Sequence, residues 1–83
     1  MSDFLTAAFY QFVALPDHKD LQAPLLACCE AQGVKGMVLL ATEGINGTIA
    51  GPPAGVRAVL AWLRSDPRLA ALQHKEATAS RDP

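Results

Sequence analysis

The chain has 83 residues, 51% of them hydrophobic and 18% charged, with a formal net charge of −1. That is one globular domain rather than two, and a composition that excludes disorder as the default state. Its seven Lys and Arg alternate with eight Asp and Glu, which excludes a stand-alone nucleic-acid binder working through clustered basic charge.

A domain this short buries only about 60–65% of the surface its unfolded chain exposes, so a thin stability margin is expected. Met1-Ser2-Asp3-Phe4 has no basic stretch and no small-residue cleavage site, so it does not read as a signal peptide. No apolar run approaches the ~20 residues of a membrane span. The expected location is cytoplasmic, with no membrane partner.

The first segment, Phe4 to Val13, is aromatic and branched and is stopped by Pro16-Asp17. It reads as a strand. Its apolar residues fall in both phases, Phe4, Ala8, Tyr10 and Phe12 against Leu5, Ala7, Phe9 and Val13. A strand with one wet face alternates more cleanly.

A helix is expected over about Asp20 to Gln32, with Leu21, Leu25, Cys28 and Gln32 on one stripe and Leu26 and Cys29 widening it. Pro24 fits only in the first turn, which moves the expected start to Gln22 or Ala23. Gly33 is placed to end the helix.

Cys28 and Cys29 are adjacent, and neighbouring helical side chains point about 100° apart. That geometry serves neither a shared bridge nor a common metal. No metal site and no cofactor are expected, and the two thiols read as small apolar residues in a reducing compartment.

Lys35 to Ala41 is a short apolar run and reads as the second strand. Thr42 to Gly47 carries two glycines and the pair Asn46-Gly47, expected as a hairpin connection into a third strand over Thr48 to Gly51. Pro52 and Pro53 open a second helix. Val56, Val59, Leu60 and Leu63 line it, with Trp62 beside them, and Ser65-Asp66-Pro67 ends it. A weak last strand is expected over Leu72 to Ala77, and residues 78–83 are expected to be disordered.

The order β-α-β-β-α-β predicts an α+β, ferredoxin-like (acylphosphatase-like) two-layer sandwich: an antiparallel sheet with two helices on one face, formed by residues 1–83 as a single domain. In the usual 4-1-3-2 strand order the second strand lies at an edge and one sheet face is bare. The first two strands are apolar on both faces, and a bare apolar face invites association. That face is therefore expected to be covered, by another domain or by a second copy in a homodimer.

The one dense polar constellation is Thr42 to Thr48. Its glycines let backbone approach a ligand, Asn46 offers donor and acceptor, and Glu43 offers a carboxylate. Glu43, Gly44, Asn46, Gly47 and Thr48 are the candidate substrate-binding residues; the alternative is a hairpin turn with Ile45 turned inward as a plug. The segment is neither a P-loop nor G-x-G-x-x-G. His18 and His74 stand alone in sequence, Lys35 and Lys75 flank strands, and no nucleophile sits beside an evident base. No catalytic residue is assigned.

Lys35 to Gly51, with its E-G-I-N-G-T core at Glu43–Thr48, and the entry strand Phe9-Tyr10-Gln11-Phe12-Val13 resemble the N-terminal domain of the rhodanese-containing tRNA uridine(34) hydroxylases (the TrhO, or YceA-like, family). The resemblance covers about residues 8 to 77. It implies a non-catalytic accessory domain, a fragment of a longer chain whose rhodanese domain lies further along. The parent protein would be a tRNA-modifying oxidoreductase that hydroxylates the wobble uridine with oxygen. Implied partners are that rhodanese domain and tRNA. Cys28 and Cys29 do not match the family's rhodanese cysteine.

Two other readings stand beside it. One is an independent small-ligand or protein-interaction module dimerising through its sheet. The other is an acylphosphatase, whose fold this resembles, but which needs an Arg in a Gly-rich loop after the first strand. Here that loop is Ala14-Leu15-Pro16-Asp17-His18-Lys19, with neither.

Overall fold

Strand β1 (Phe4–Phe12) runs down the middle of the molecule, and everything else is arranged around it. In the computed structural model, which describes residues 4–79, it is followed by α1 (His18–Ala31), β2 (Lys35–Ala41), β3 (Gly44–Gly51), α2 (Pro53–Arg64), a 3-10 turn at Pro67–Leu69, and β4 (His74–Ala79). The sheet order is β2-β3-β1-β4, and all three pairings are antiparallel. This is the expected βαββαβ sandwich with β2 at an edge.

The two apolar phases of β1 divide as period-two geometry requires. Leu5, Ala7 and Phe9 are buried against the helices with Ile45 and Ile49 of β3. The other phase faces away: Tyr10 and Phe12 are 64% and 79% exposed, and Met37 and Leu39 of β2 are 69% and 60% exposed. The sheet therefore has one packed face and one bare apolar face.

Helix α2 carries most of the helical contribution to the core, burying Val56, Val59, Leu60 and Leu63, the stripe read from the sequence. Helix α1 buries only Leu25 and Cys29. Trp62 is half-buried against the core cluster.

Three elements are bounded differently from expectation. Helix α1 starts at His18, so Pro24 lies inside the helix rather than in its first turn. Pro24 is solvent-facing, and the carbonyl it leaves unpaired one turn back can be served by water. Gly33, with φ 69°, follows the helix cap Gln32 as expected. Strand β3 begins at Gly44, which leaves Thr42 and Glu43 alone as the turn. Strand β4 is shifted to His74–Ala79. Thr78 and Ala79, expected in a disordered tail, pair with Leu5 and Phe4, while residues 80–83 lie outside the described residues.

Patterning gave no sign of the ion cluster that ties α1 to the 3-10 turn. Arg68 donates from Nη1 and Nη2 to the Asp17 carboxylate at 2.5 and 3.2 Å. It also donates from Nε and Nη2 to Asp66 at 3.0 and 2.6 Å. Asp17 is the helix-cap residue of α1, yet its side chain makes no capping bond because the guanidinium holds it.

The hydrogen bonds from Arg68 hold Asp66 down to about 2, from an ordinary 3.8, and lower Asp17 in the same direction. Because both folded-state values lie below those of the unfolded chain, the unfolded state takes up protons first as pH falls. The stabilisation is fully present above about 3.8 and is lost as pH falls toward about 2. Urea unfolding across that window should show the midpoint falling for the wild type and a smaller fall for Arg68→Met. Parallel curves for the two proteins would mean the cluster contributes nothing in solution.

Candidate functional site

The E-G-I-N-G-T segment is divided between two tasks. Gly44 has φ 151° and faces Phe12 across the β1–β3 ladder. A Cβ there would stand 2.0 Å from the Gln11 carbonyl oxygen. Ile45 turns inward and is 3% exposed. Gly47 lies under the core: a Cβ would meet the Phe9 ring at 3.1 Å and Val38 at 3.0 Å. These three residues build the sheet.

Asn46 and Thr48 point the other way, exposed on the bare face. Their registers place them in cross-strand rows, Leu39–Asn46–Tyr10 and Met37–Thr48–Ala8. The structure therefore sets Asn46 directly opposite Tyr10 and Thr48 opposite Ala8. Asn46-Gly47, expected at a turn, are strand residues, and Glu43 sits at the exposed hairpin tip. Tyr10, Phe12, Leu39, Asn46 and Glu43 border a hollow of about 510 Å³. The alternation of β1 carried the signal for Tyr10 and Phe12. That they meet Asn46 depends on the β1–β3 register, which the alternation does not fix.

A second group of polar side chains is engaged with one another and with backbone. On the helix side, Arg64 donates from Nε and Nη2 to the Leu72 carbonyl at 2.9 and 2.7 Å, and its Nη2 lies 2.8 Å from His74 Nδ1. With Nδ1 accepting, His74 Nε2 carries the proton and donates to Glu76 at 2.5 Å. That bond is the main cause holding the Glu76 carboxyl below its usual range. Arg57 approaches Glu76 from α2 at 3.6 Å. Burial pushes the Cys29 thiol up, which makes it a poor nucleophile. Among the described residues no three His, Cys, Asp or Glu converge as a metal site, and no helix is long and apolar enough to cross a membrane.

An acylphosphatase needs free backbone N–H groups in the loop after β1. Here the Val13 and Leu15 amides donate to the Glu43 and Thr42 carbonyls at 2.9 Å each, and Leu15 is fully buried. That loop is sewn to the hairpin and leaves no anion cradle.

Architecture and site together define an α+β sandwich of acylphosphatase-like fold, with its phosphate loop closed and its open sheet face carrying the exposed polar and aromatic groups. The UPF0176 acylphosphatase-like domain matches residues 4–83, and the chain belongs to that family. It is 70% identical over its whole length to a tRNA uridine(34) hydroxylase of Albidiferax ferrireducens. It is 61% identical over 80 residues to the protein of that name from Rhizobium etli. The identity is 55% over 83 residues to the one from Acaryochloris marina. The chain spans about a quarter of each of these relatives, 26%, 26% and 27% of their lengths.

Proposed function

We propose that this chain serves as the non-catalytic N-terminal accessory unit of a cytoplasmic protein that hydroxylates uridine 34 of tRNA. The observation that carries the reading is identity of 70% across all 83 residues with one quarter of a protein of that name. The engagement of the polar helix-side groups with one another supports a supporting rather than chemical role. Among the described residues the short-range pairings of titratable side chains are arginine–carboxylate, histidine–carboxylate and arginine–histidine contacts, and none pairs a nucleophile with a base. The bare sheet face gives such a unit a surface on which to meet the remaining three quarters of the protein or its substrate. The rhodanese domain expected from the sequence resemblance belongs to that remainder.

The test is a chimera in which this chain replaces the matching quarter of the A. ferrireducens protein. It should restore hydroxylation at position 34 of tRNA in a strain lacking the activity. Asn46→Ala in the chimera should raise KM for tRNA while leaving the fold intact. A well-folded, inactive chimera would overturn the reading, and an Asn46→Ala chimera with unchanged kinetics would reduce the hairpin to a structural turn.

A further inference from the structure

The bare face has an arrangement that a merely oily surface does not need. Its aromatics, Tyr10 and Phe12, stand on β1 just past the reach of β4, with ring centroids 5.5 Å apart and planes at 87°. In an edge-to-face pair each ring keeps at least one face uncovered by the other. Asn46 and Thr48 follow on the adjacent central strand, so hydrogen-bonding groups lie one strand away from the rings. Leu39 stands on the far side of Asn46 from Tyr10 in the same row, which makes Asn46 the floor of a groove with an apolar wall on each side.

The charged strand residues on this face are both lysines, while the Glu43 carboxylate at the hairpin tip borders its aromatic end. Lys35 of β2, opposite Ala50, and Lys75 of β4, opposite Ala8, share the face. Among the described strand residues pointing this way there is no carboxylate; Glu76 points to the helix side, where Arg57 meets it. Lys75 and Lys35 lie one and two cross-strand rows from the Leu39–Asn46–Tyr10 row, both toward the same end of the sheet, which suits phosphates leading away from a base stacked on Tyr10. A dry protein interface would have to satisfy the buried amide of Asn46 at its centre.

We infer that the bare sheet face is a stacking platform for unpaired RNA bases. Tyr10 and Phe12 supply the stacking surfaces, Asn46 meets a base edge, and Lys75 and Lys35 meet phosphates. This deepens the proposed function and rests on it for the choice of RNA, the anticodon loop of tRNA. The chain's net charge of −1 supplies no long-range attraction, so stacking carries the affinity and the free chain binds modestly.

The experiment titrates the 83-residue chain into a labelled anticodon stem-loop and into a fully paired duplex of the same length, read by anisotropy at several salt concentrations. The stem-loop should bind at least tenfold more tightly than the duplex. Tyr10→Ala and Phe12→Ala should each weaken it about fivefold or more, and Phe12→Tyr should retain it. Lys75→Ala should lower the salt slope by about one. Trp62 fluorescence, reporting from the helix side, checks that each variant is folded. Equal affinity of wild type and the Tyr10→Ala/Phe12→Ala double variant overturns the inference. So does equal affinity for the duplex, absence of binding, or a homodimer that covers Tyr10 and Phe12 and excludes the RNA. The measurement needs no hydroxylation. An inactive chimera therefore sinks the functional reading alone, whereas RNA binding indifferent to the two rings sinks the platform alone.

Discussion

Gly44→Ala should cost the domain at least ~3 kcal/mol and leave it partly or wholly unfolded at 37 °C. Two independent effects act at this residue. Its φ of 151° is a conformation side chains rarely adopt. In addition, the added methyl would stand 2.0 Å from the Gln11 carbonyl oxygen and 3.0 Å from Phe12 Cα. Both obstacles are backbone of β1, so neither moves without opening the hairpin end of the β1–β3 ladder at the Phe12–Gly44 pair. A domain of this size has about 4–12 kcal/mol in total, so the loss takes a large share. Asn46→Ala, two residues along and exposed, should change stability by no more than about 0.5 kcal/mol. Urea unfolding of the two variants separates the residues of the motif that make the sheet from those free to bind. Equal and small losses would mean the hairpin relaxes around a methyl.

That contrast also shows where the sequence was informative. Period two in β1 separates the two phases that take opposite faces, though not which of them is buried, and the i, i+3, i+4, i+7 stripe of α2 marks its buried face. Asn46-Gly47 favours positive φ in isolation, but the packing of Gly47 against Phe9 draws the pair into β3 and leaves Thr42-Glu43 to turn. Helix α1 begins at His18, earlier than the Gln22 or Ala23 that a first-turn Pro24 implies. The Pro24 ring is tolerated further in because it faces water. The Asp17–Arg68–Asp66 cluster joins residues 51 positions apart, and no local pattern encodes that. The candidate site was legible in part for the same reason: Asn46 and Thr48 stood out by type, whereas the placing of Asn46 opposite Tyr10 is a product of register.

Leu60→Ala should remove about 2–5 kcal/mol, because Leu60 is 1% exposed in the core and the cavity it leaves is walled by strands that cannot close in. Leu26→Ala on α1, where the side chain is 61% exposed, should cost little. The difference reflects how unequally the helices are anchored. Four large apolar residues of α2 are buried, against Leu25 and Cys29 of α1. Helix α1 also lacks a capping side-chain bond and carries an internal proline. Local opening costs least where few apolar contacts hold an element, so amide exchange in α1 should outrun that in α2, β1 and β3. In Leu60→Ala the exchange rates of α2 should rise toward those of α1, because the substitution cuts the anchor that set them apart. If α1 proved as protected as α2 in the wild type, the view that α2 alone pins the helical layer to the sheet would fail, and with it the expectation that the sheet's bare face stays fixed while α1 breathes.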